Sequence, residues 1–301
     1  MTDEQPVSEN SETKAENAQF GYWLVGFVDL LGQQSAFLKA DEAWELDKAA
    51  GQRLLKEALK SSVGTILGMR KLLAQFRSAF RSTGTGEPGD PQELVQWRKA
   101  RVREDRWSDG IVLSTPLSPA EDHNPISAVF EILVGIGGLA LMHLAAGRPL
   151  RAGVSIGGGI ECEGELFGPA LVKAYQLESK AAGSPRVVVD AQVYKFLETQ
   201  VRAPASAPME KARREMALLI QSLLVKDEDG AVILDFAGPW FQQNLPDAPE
   251  LLSKARSFAQ DSRKEHRTDK KLFERYSSVV RYLESRMPAE SLVDGLKGNS
   301  Q

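Results

Sequence analysis

Two aspartates in this sequence stand where a carboxylate could do chemistry. Asp29 ends an apolar run that begins at Trp23, and a glycine turn follows at Gly32. Such a run predicts a buried strand, and ligands favour the carboxyl ends of strands. Asp109 lies in Ser108-Asp-Gly, just before a second apolar run, a pattern typical of the tip of an antiparallel hairpin. Two such carboxylates could share a divalent metal ion.

Each aspartate also has a purely structural interpretation. An aspartate after a strand often caps the following helix, and Asp-Gly often does no more than reverse the chain. Neither residue identifies a site when it is taken singly. Their order along the chain, and the sequence that follows them, favour a functional role.

Composition excludes several classes of protein. The chain has 301 residues, with 37 Lys+Arg against 41 Asp+Glu, so its net charge of −4 gives no global attraction to DNA, RNA or a membrane surface. A single cysteine, Cys162, excludes an intramolecular disulfide and a cysteine zinc site. Without a recognisable signal segment or a membrane-length apolar run, we expect a cytoplasmic protein.

The elements that must position the aspartates follow from apolar spacing and from glycine and proline breaks. We expect a disordered tail at the start, because its composition is polar. Residues 83–91 predict a loop. The predicted helices span residues 36–80, 125–146, 169–182 and 251–287. The predicted strands and hairpins span residues 22–30, 102–116, 150–157, 186–190 and 223–236, with a loop or hairpin over 158–168.

The order of Asp29 and Asp109, together with the sequences 151–157 and 165–178, resembles the class III nucleotidyl cyclases over roughly residues 20–190. The resemblance implies an α/β fold of the ferredoxin-like cyclase type, with a mostly antiparallel central sheet and flanking helices. It also implies a homodimer with composite active sites. We expect a tail over 1–18, a catalytic domain over 19–240 and a C-terminal helical extension over 241–301.

The same resemblance implies roles for individual residues. Asp29 and Asp109 would be catalytic and would bind two divalent ions, Mn²⁺ or Mg²⁺, with help from the backbone carbonyl of Leu30. Glu165 would read the base of the nucleotide. Backbone N–H groups of the following turn would cradle the phosphates. That turn consists of Leu31, Gly32, Gln33 and Gln34.

The sequence departs from the family where a helix should carry an asparagine and an arginine that stabilise the transition state. The matching positions hold Val172 and Gln176. Other cations must then offset the charge that develops in phosphoryl transfer. Arg186 is the catalytic candidate, and Tyr175 could stack on a base or pack in the core. The remaining candidate cations are Arg106, Arg151 and Lys173.

Several short stretches, among them residues 27–32, 108–114 and 167–175, resemble the pyrimidine cyclases of bacterial Pycsar antiphage systems. This resemblance implies conversion of UTP to 3′,5′-cyclic UMP and pyrophosphate, as a second messenger for a separate cyclic-nucleotide effector. A cytidylate cyclase acting on CTP is the nearest alternative. An adenylate or guanylate cyclase, or a catalytically silent module that binds a nucleotide or a partner, also stays open.

Overall fold

The computed structural model describes residues 18–32, 38, 41–83, 99–121 and 123–287. The strands are β1 (Gln19–Leu30), β2 (Arg103–Trp107), β3 (Gly110–Pro116), β4 (Leu150–Cys162), β5 (Glu165–Phe167), β6 (Val187–Val189), β7 (Leu224–Lys226) and β8 (Val232–Leu234). The helices are α1 (Lys48–Ala58), α2 (Gly64–Thr83), α3 (Pro125–Ala145), α4 (Pro169–Gln176), α5 (Ala191–Arg202), α6 (Pro208–Ser222), α7 (Pro239–Asn244), α8 (Ala248–Glu265) and α9 (Lys270–Glu284). Short 3₁₀ and π-helical segments, Glu42–Glu45, Leu59–Val63 and Leu177–Ala181, adjoin the helices.

The first half of the chain forms a β-α-β-β-α-β unit. Its strands lie in the order β2-β3-β1-β4, and all neighbours in this part of the sheet are antiparallel. This is the ferredoxin-like arrangement. β6 joins β4 in parallel, β8 and β7 follow antiparallel, and β5 pairs with β4. The predicted fold class, α/β with a mostly antiparallel sheet between helices, is therefore confirmed.

Helix α3 fills the space on one face of the sheet. Nearly all of its side chains are buried, and they pack against Leu24 and Val28 of β1 and against α2. Asn124 caps its first turn by accepting a hydrogen bond from the Ile126 N–H group, and a proline opens the helix. Among the described residues, α3 alone is long and apolar enough to cross a membrane, but 89% of its most apolar window is buried inside the protein.

The opposite face of the sheet is covered by α4. Large side chains of β1 lie opposite small residues of β4 in the strand register: Trp23 faces Gly157, and Phe27 faces Gly153. A Cβ atom built on Gly153 would lie 2.2 Å from the carbonyl oxygen of Ala174. The small residues of β4 therefore allow the backbone of α4 to approach the sheet closely.

The C-terminal helices pack on the same core as the sheet. Helix α8 contacts α3, and α9 lies along α8. The buried Tyr282 of α9 donates a hydrogen bond to Asp235 at 2.9 Å and accepts one from the Ala237 N–H group at 3.0 Å. Arg286 also pairs with Asp235. A helical C-terminal region was predicted, and it is present through residue 284.

Several local predictions differ from the structure. Residues 191–222 form two helices, α5 and α6, that were not predicted. The single helix predicted over 251–287 is two, because the chain breaks after His266 and Asp269 caps a new helix through the Leu272 N–H group. The predicted tail, apart from residue 18, and most of the loop at 83–91 lie outside the described residues.

We expect Gly153→Ala to destabilise the protein, because the new methyl group would collide with backbone atoms of α4 and of the π-helical turn. Overpacking of this kind typically costs about 1–3 kcal/mol. Thermal unfolding followed by circular dichroism measures the effect. Gly158→Ala is the matched control in the same strand, since its Cβ would meet nothing within 4 Å. Equal stability of the two variants would contradict the close approach of α4.

Candidate functional site

Asp29 lies near the end of β1, the strand that is flanked by β3 and β4 in the sheet. Its register partners are Gly110 on β3 and Arg151 on β4. Side chains of directly paired residues lie on the same face of a sheet. The register therefore brings Asp109, which precedes Gly110, and Arg151 to the two sides of Asp29.

Asp109 occupies the turn between β2 and β3, as predicted. The preceding residue, Ser108, has a positive φ of 39°, which is uncommon outside glycine. Asp109 is half-buried and lines a pocket together with Asp29. The sequence thus identified both carboxylates and the elements that carry them, and the structure brings the two together.

The pocket at this sheet edge has a volume of about 250 Å³. It lies under the C-terminal end of α4 and beside the tip of the β2–β3 hairpin. Besides the two aspartates, it is lined by Phe27, Trp107, Ser108, Gly110, Arg151, Tyr175, Glu178 and Ser179. Acids, one arginine and aromatic rings therefore share one small cavity.

Arg151 joins two of the carboxylates. One of its guanidinium nitrogens, Nη2, lies 3.4 Å from Oδ2 of Asp29, and Nε forms an ion pair with Glu178. The Glu178 side chain is only 2% exposed, and it belongs to the π-helical turn after α4. Single π-turns are frequent at functional sites. Glu178 holds the guanidinium beside Asp29.

Two acids of the site, Asp29 and Glu178, have raised pKa values. Burial, followed by the negative charge of Asp109, raises the pKa of Asp29, and Arg151 only partly offsets this. The pKa of Glu178 is raised by burial as well, and the neighbouring Asp29 adds to the effect. The site therefore carries more negative charge than its own arginine neutralises.

Three aromatic rings form one wall of the pocket. Phe27 meets Trp107 edge to face at 6.0 Å and Tyr175 at 5.4 Å between ring centroids. Phe27 is buried, whereas Trp107 is 52% and Tyr175 is 51% exposed. The two outer rings leave apolar surface free to contact a ligand.

A divalent cation fits the chemistry of the donors. Within the described ranges, no group of three or more His, Cys, Asp or Glu side chains could hold a metal ion unaided. Asp29 and Asp109 could hold a cation together with water, backbone carbonyls and substrate phosphate oxygens, which is how Mg²⁺ is often bound. The repulsion between the two carboxylates is what such an ion would relieve.

The predicted phosphate turn is only partly described. The N–H group of Leu31 donates to the Pro149 carbonyl at 2.9 Å, so it is engaged with backbone and the prediction that it binds phosphate is corrected. Gly32 has a φ of 85°, which glycine adopts without strain. Gln33 and Gln34 lie outside the described residues. Leu30 ends β1 opposite Leu150, and its role as a carbonyl ligand stays a prediction.

Other predicted site residues point away from this pocket. Arg106 is 65% exposed and pairs with Glu104 on the same strand. Lys173 and Glu165 are exposed, and neither lines the pocket. The structure does not bring these side chains to the two aspartates, and their nucleotide-binding roles stay predictions. Tyr175 does line the pocket, as its proposed stacking role requires.

Arg186, the predicted catalytic cation, belongs to another cluster. Its guanidinium pairs with Asp227 and, at 2.7 Å, with Asp229 of the β7–β8 hairpin. It also donates to the carbonyls of Ala181 and Ala182. Burial alone would lower the pKa of Arg186, but the bonds to Asp229 and Asp227 outweigh it and raise the pKa. The contacts tie the hairpin to the end of the π-helical turn. Among the described residues, Arg151 lies beside Asp29, and Arg186 does not.

The sequence did not single out Glu178, Trp107 or Ser179 as site residues. Trp107 stands two positions before Asp109, so its place in the hairpin was available from the sequence. Glu178 reaches the pocket only because α4 lies against Gly153 and continues into a π-turn. No local sequence pattern predicts that contact.

Comparison with known proteins gives limited similarity. No protein-family model matches the chain, and no curated protein matches it. Among solved structures, a bacterial light-regulated adenylyl cyclase aligns at 13% identity with a TM-score of 0.39, over 80% of this chain and 57% of that chain. This chain thus spans little more than half the length of that one. A similarity this distant assigns neither reaction nor substrate, which must be inferred from the site itself.

Proposed function

We propose that the chain is a nucleotidyl cyclase that converts a pyrimidine nucleoside triphosphate, UTP in preference to CTP, into a 3′,5′-cyclic monophosphate and pyrophosphate. The observation that carries the proposal is the convergence of Asp29 and Asp109 in one pocket at the end of β1. The two acids come from separate elements, and a turn or a helix cap would not require them to meet.

The proposed reaction requires the site to neutralise phosphate charge and to favour loss of the proton from the ribose 3′-hydroxyl. The ribose 3′-oxygen loses its proton to water and bonds to the α-phosphorus, while the bond from that phosphorus to the pyrophosphate oxygen breaks. Divalent cations at Asp29 and Asp109 would neutralise phosphate charge and favour the 3′-alkoxide. Arg151, held by Glu178, supplies positive charge beside Asp29. Exposed Trp107 and Tyr175 would exclude water and could contact the sugar or base.

The size of the pocket favours a dimer. About 250 Å³ is less than ordinary small-molecule sites provide, so a nucleoside triphosphate would extend beyond one protomer. A second copy related by a two-fold axis could complete the site. In that arrangement, Glu165, Lys173 or Arg186 of one protomer could serve the aspartates of its partner.

The uridine preference and the biological role rest on the sequence resemblance described above. A cyclic UMP product would act as a second messenger in antiphage defence, through a separate effector protein in the cytoplasm. Cyclisation of CTP, or of a purine nucleotide, is the alternative within the same chemistry. A catalytically silent nucleotide-binding module is the alternative outside it.

We expect Asp29→Asn and Asp109→Asn each to reduce cyclase activity at least about 100-fold, because each removes a charged oxygen ligand of the proposed ions. Turnover of UTP with Mn²⁺, followed by chromatography of the nucleotide product, measures this. Asp105→Asn is the matched control, since that carboxylate lies on the same hairpin and pairs with Arg103 instead. Full activity in either site variant would exclude the two-metal proposal.

Asp29→Asn should also stabilise the protein in the absence of cations. A carboxyl group whose pKa is raised by folding costs stability when ionised. That cost is absent below the unfolded pKa of roughly 4 and complete above the folded pKa, so the gain should be largest at neutral pH. We expect a rise in Tm on the order of 2 °C at pH 7.5 that shrinks toward pH 4. A lower Tm for the variant at pH 7.5 would contradict the charge repulsion.

The substrate base can be settled by separate incubations with ATP, GTP, CTP and UTP. We expect cyclic UMP as the main product, with cyclic CMP as the next most abundant. Mass spectrometry identifies each product, and the Asp29→Asn protein controls for contaminating cyclases. A purine product alone would replace the pyrimidine assignment. No product from any of the four would favour the silent nucleotide-binding module.

A further inference from the structure

Two arginines of helix α2 contact the β2–β3 hairpin, one at the base of the hairpin and one at its tip. Arg77 donates to Glu104 on β2 at 3.2 Å and to the Val102 carbonyl just before that strand. It also pairs with Glu131 of α3 at 2.9 Å. These are part-buried, charge-assisted contacts, so the base of the hairpin is fixed to α2 and α3.

Arg70 lies two helical turns before Arg77, on the same side of α2. Its Nη2 donates a hydrogen bond to the carbonyl oxygen of Ser108 at 2.8 Å. Arg70 Nε is buried and has no hydrogen-bond partner within the described part of the chain. The guanidinium is therefore partly withdrawn from solvent, with the tip of the hairpin as its acceptor.

The residue that Arg70 holds is the one that orients Asp109. Ser108 has a positive φ, a strained conformation for a non-glycine residue that persists only where the surrounding structure enforces it. Strand pairing ends at Trp107 and Gly110, so Ser108 and Asp109 form the turn between the last paired residues. The register places Gly110 opposite Asp29, and the contact at Ser108 restrains the turn residue on the other side of Asp109.

We propose that Arg70 is a positioning residue that holds the Ser108 carbonyl, and through it places Asp109 opposite Asp29 for cation binding. The cation part of this inference rests on the proposed function, whereas the ordering of the hairpin tip does not. Arg70 does not line the pocket, and it acts only through the backbone of the turn. Helix α2 is thereby a rigid support for one of the two metal ligands.

Arg70→Gln tests the assignment in the full-length protein. Calorimetric titration with Mn²⁺ alone should show an affinity about tenfold weaker than the wild type, the size typical for removing a group that orients a ligand. In an Asp109→Asn background, the same substitution should change the affinity little, because the group it positions is already gone. Arg70→Lys, which keeps one charged donor, should recover part of the loss. Lys71→Gln, an exposed neighbour on α2, is the matched control.

A second measurement follows the hairpin without any cation. Trp107 adjoins Ser108, so protein labelled with 5-fluorotryptophan reports the tip by ¹⁹F NMR, with Trp107→Phe assigning the signal. In Arg70→Gln we expect the Trp107 signal to shift or broaden while that of buried Trp23 stays unchanged.

The outcomes separate the two proposals. A wild-type protein that neither binds Mn²⁺ nor cyclises a nucleotide would refute the proposed function, and the fluorine signal would then decide the role of Arg70. An unchanged Trp107 signal would overturn the assignment. A changed signal with unaltered Mn²⁺ affinity, in a wild type that does bind Mn²⁺, would also overturn it. Loss of affinity that is equally large in the Asp109→Asn background would indicate a general structural effect and would contradict the inference.

Discussion

Helix α4 lies so close to strand β4 that a side chain at Gly153 would occupy the position of helix backbone. This contact fixes the depth at which the helix sits on the sheet. It places Tyr175 against Phe27, and it lets the π-turn set Glu178 beside Arg151. The aromatic wall and the cationic side of the pocket both follow from it. The hydroxyl of Ser155 reinforces the contact by donating to the Ala170 carbonyl at 2.7 Å.

The uncompensated negative charge in the pocket lowers the stability of the folded protein. Two aspartates and a buried glutamate share a single arginine, and burial raises the pKa of Asp29 and of Glu178. One-to-one ion pairs occur elsewhere in the described chain, where Arg281 faces Glu228 and Arg256 faces Glu284. Unbalanced charge in a concave place is a recognised sign of a functional site, because selection for folding alone would remove it.

The sequence predicted the parts of this site that depend on local pattern. An apolar run identified β1 with Asp29 at its end, and Ser108-Asp-Gly identified the hairpin tip. Contacts that depend on register or on distant segments were not accessible. Arg186 was chosen for its charge, but its partners Asp227 and Asp229 lie about forty residues away, in a hairpin whose position a local pattern cannot give.

The errors in secondary structure have a local origin. Helices α5 and α6 were not predicted, although both are amphipathic and their apolar stripes have helical spacing. The break between α8 and α9 depends on a capping aspartate, Asp269, inside a charged stretch that otherwise favours a continuous helix. The N–H group of Leu31 could not be assigned without knowing that Pro149 runs beside it.

The buried hydroxyl of Tyr282 has a consequence for the order in which the chain folds. It satisfies the Asp235 carboxylate, which follows β8 and is itself buried, and the Ala237 N–H group beside it. During synthesis, β8 emerges well before α9, so the Asp235 carboxylate stays hydrated, and this part of the sheet cannot bury it, until α9 arrives. In the ferredoxin-like half, Asp29 and Asp109 do not depend in this way on the C-terminal helices. A nascent chain could thus form the pocket of Asp29 and Asp109 before the β7–β8 edge of the sheet is packed.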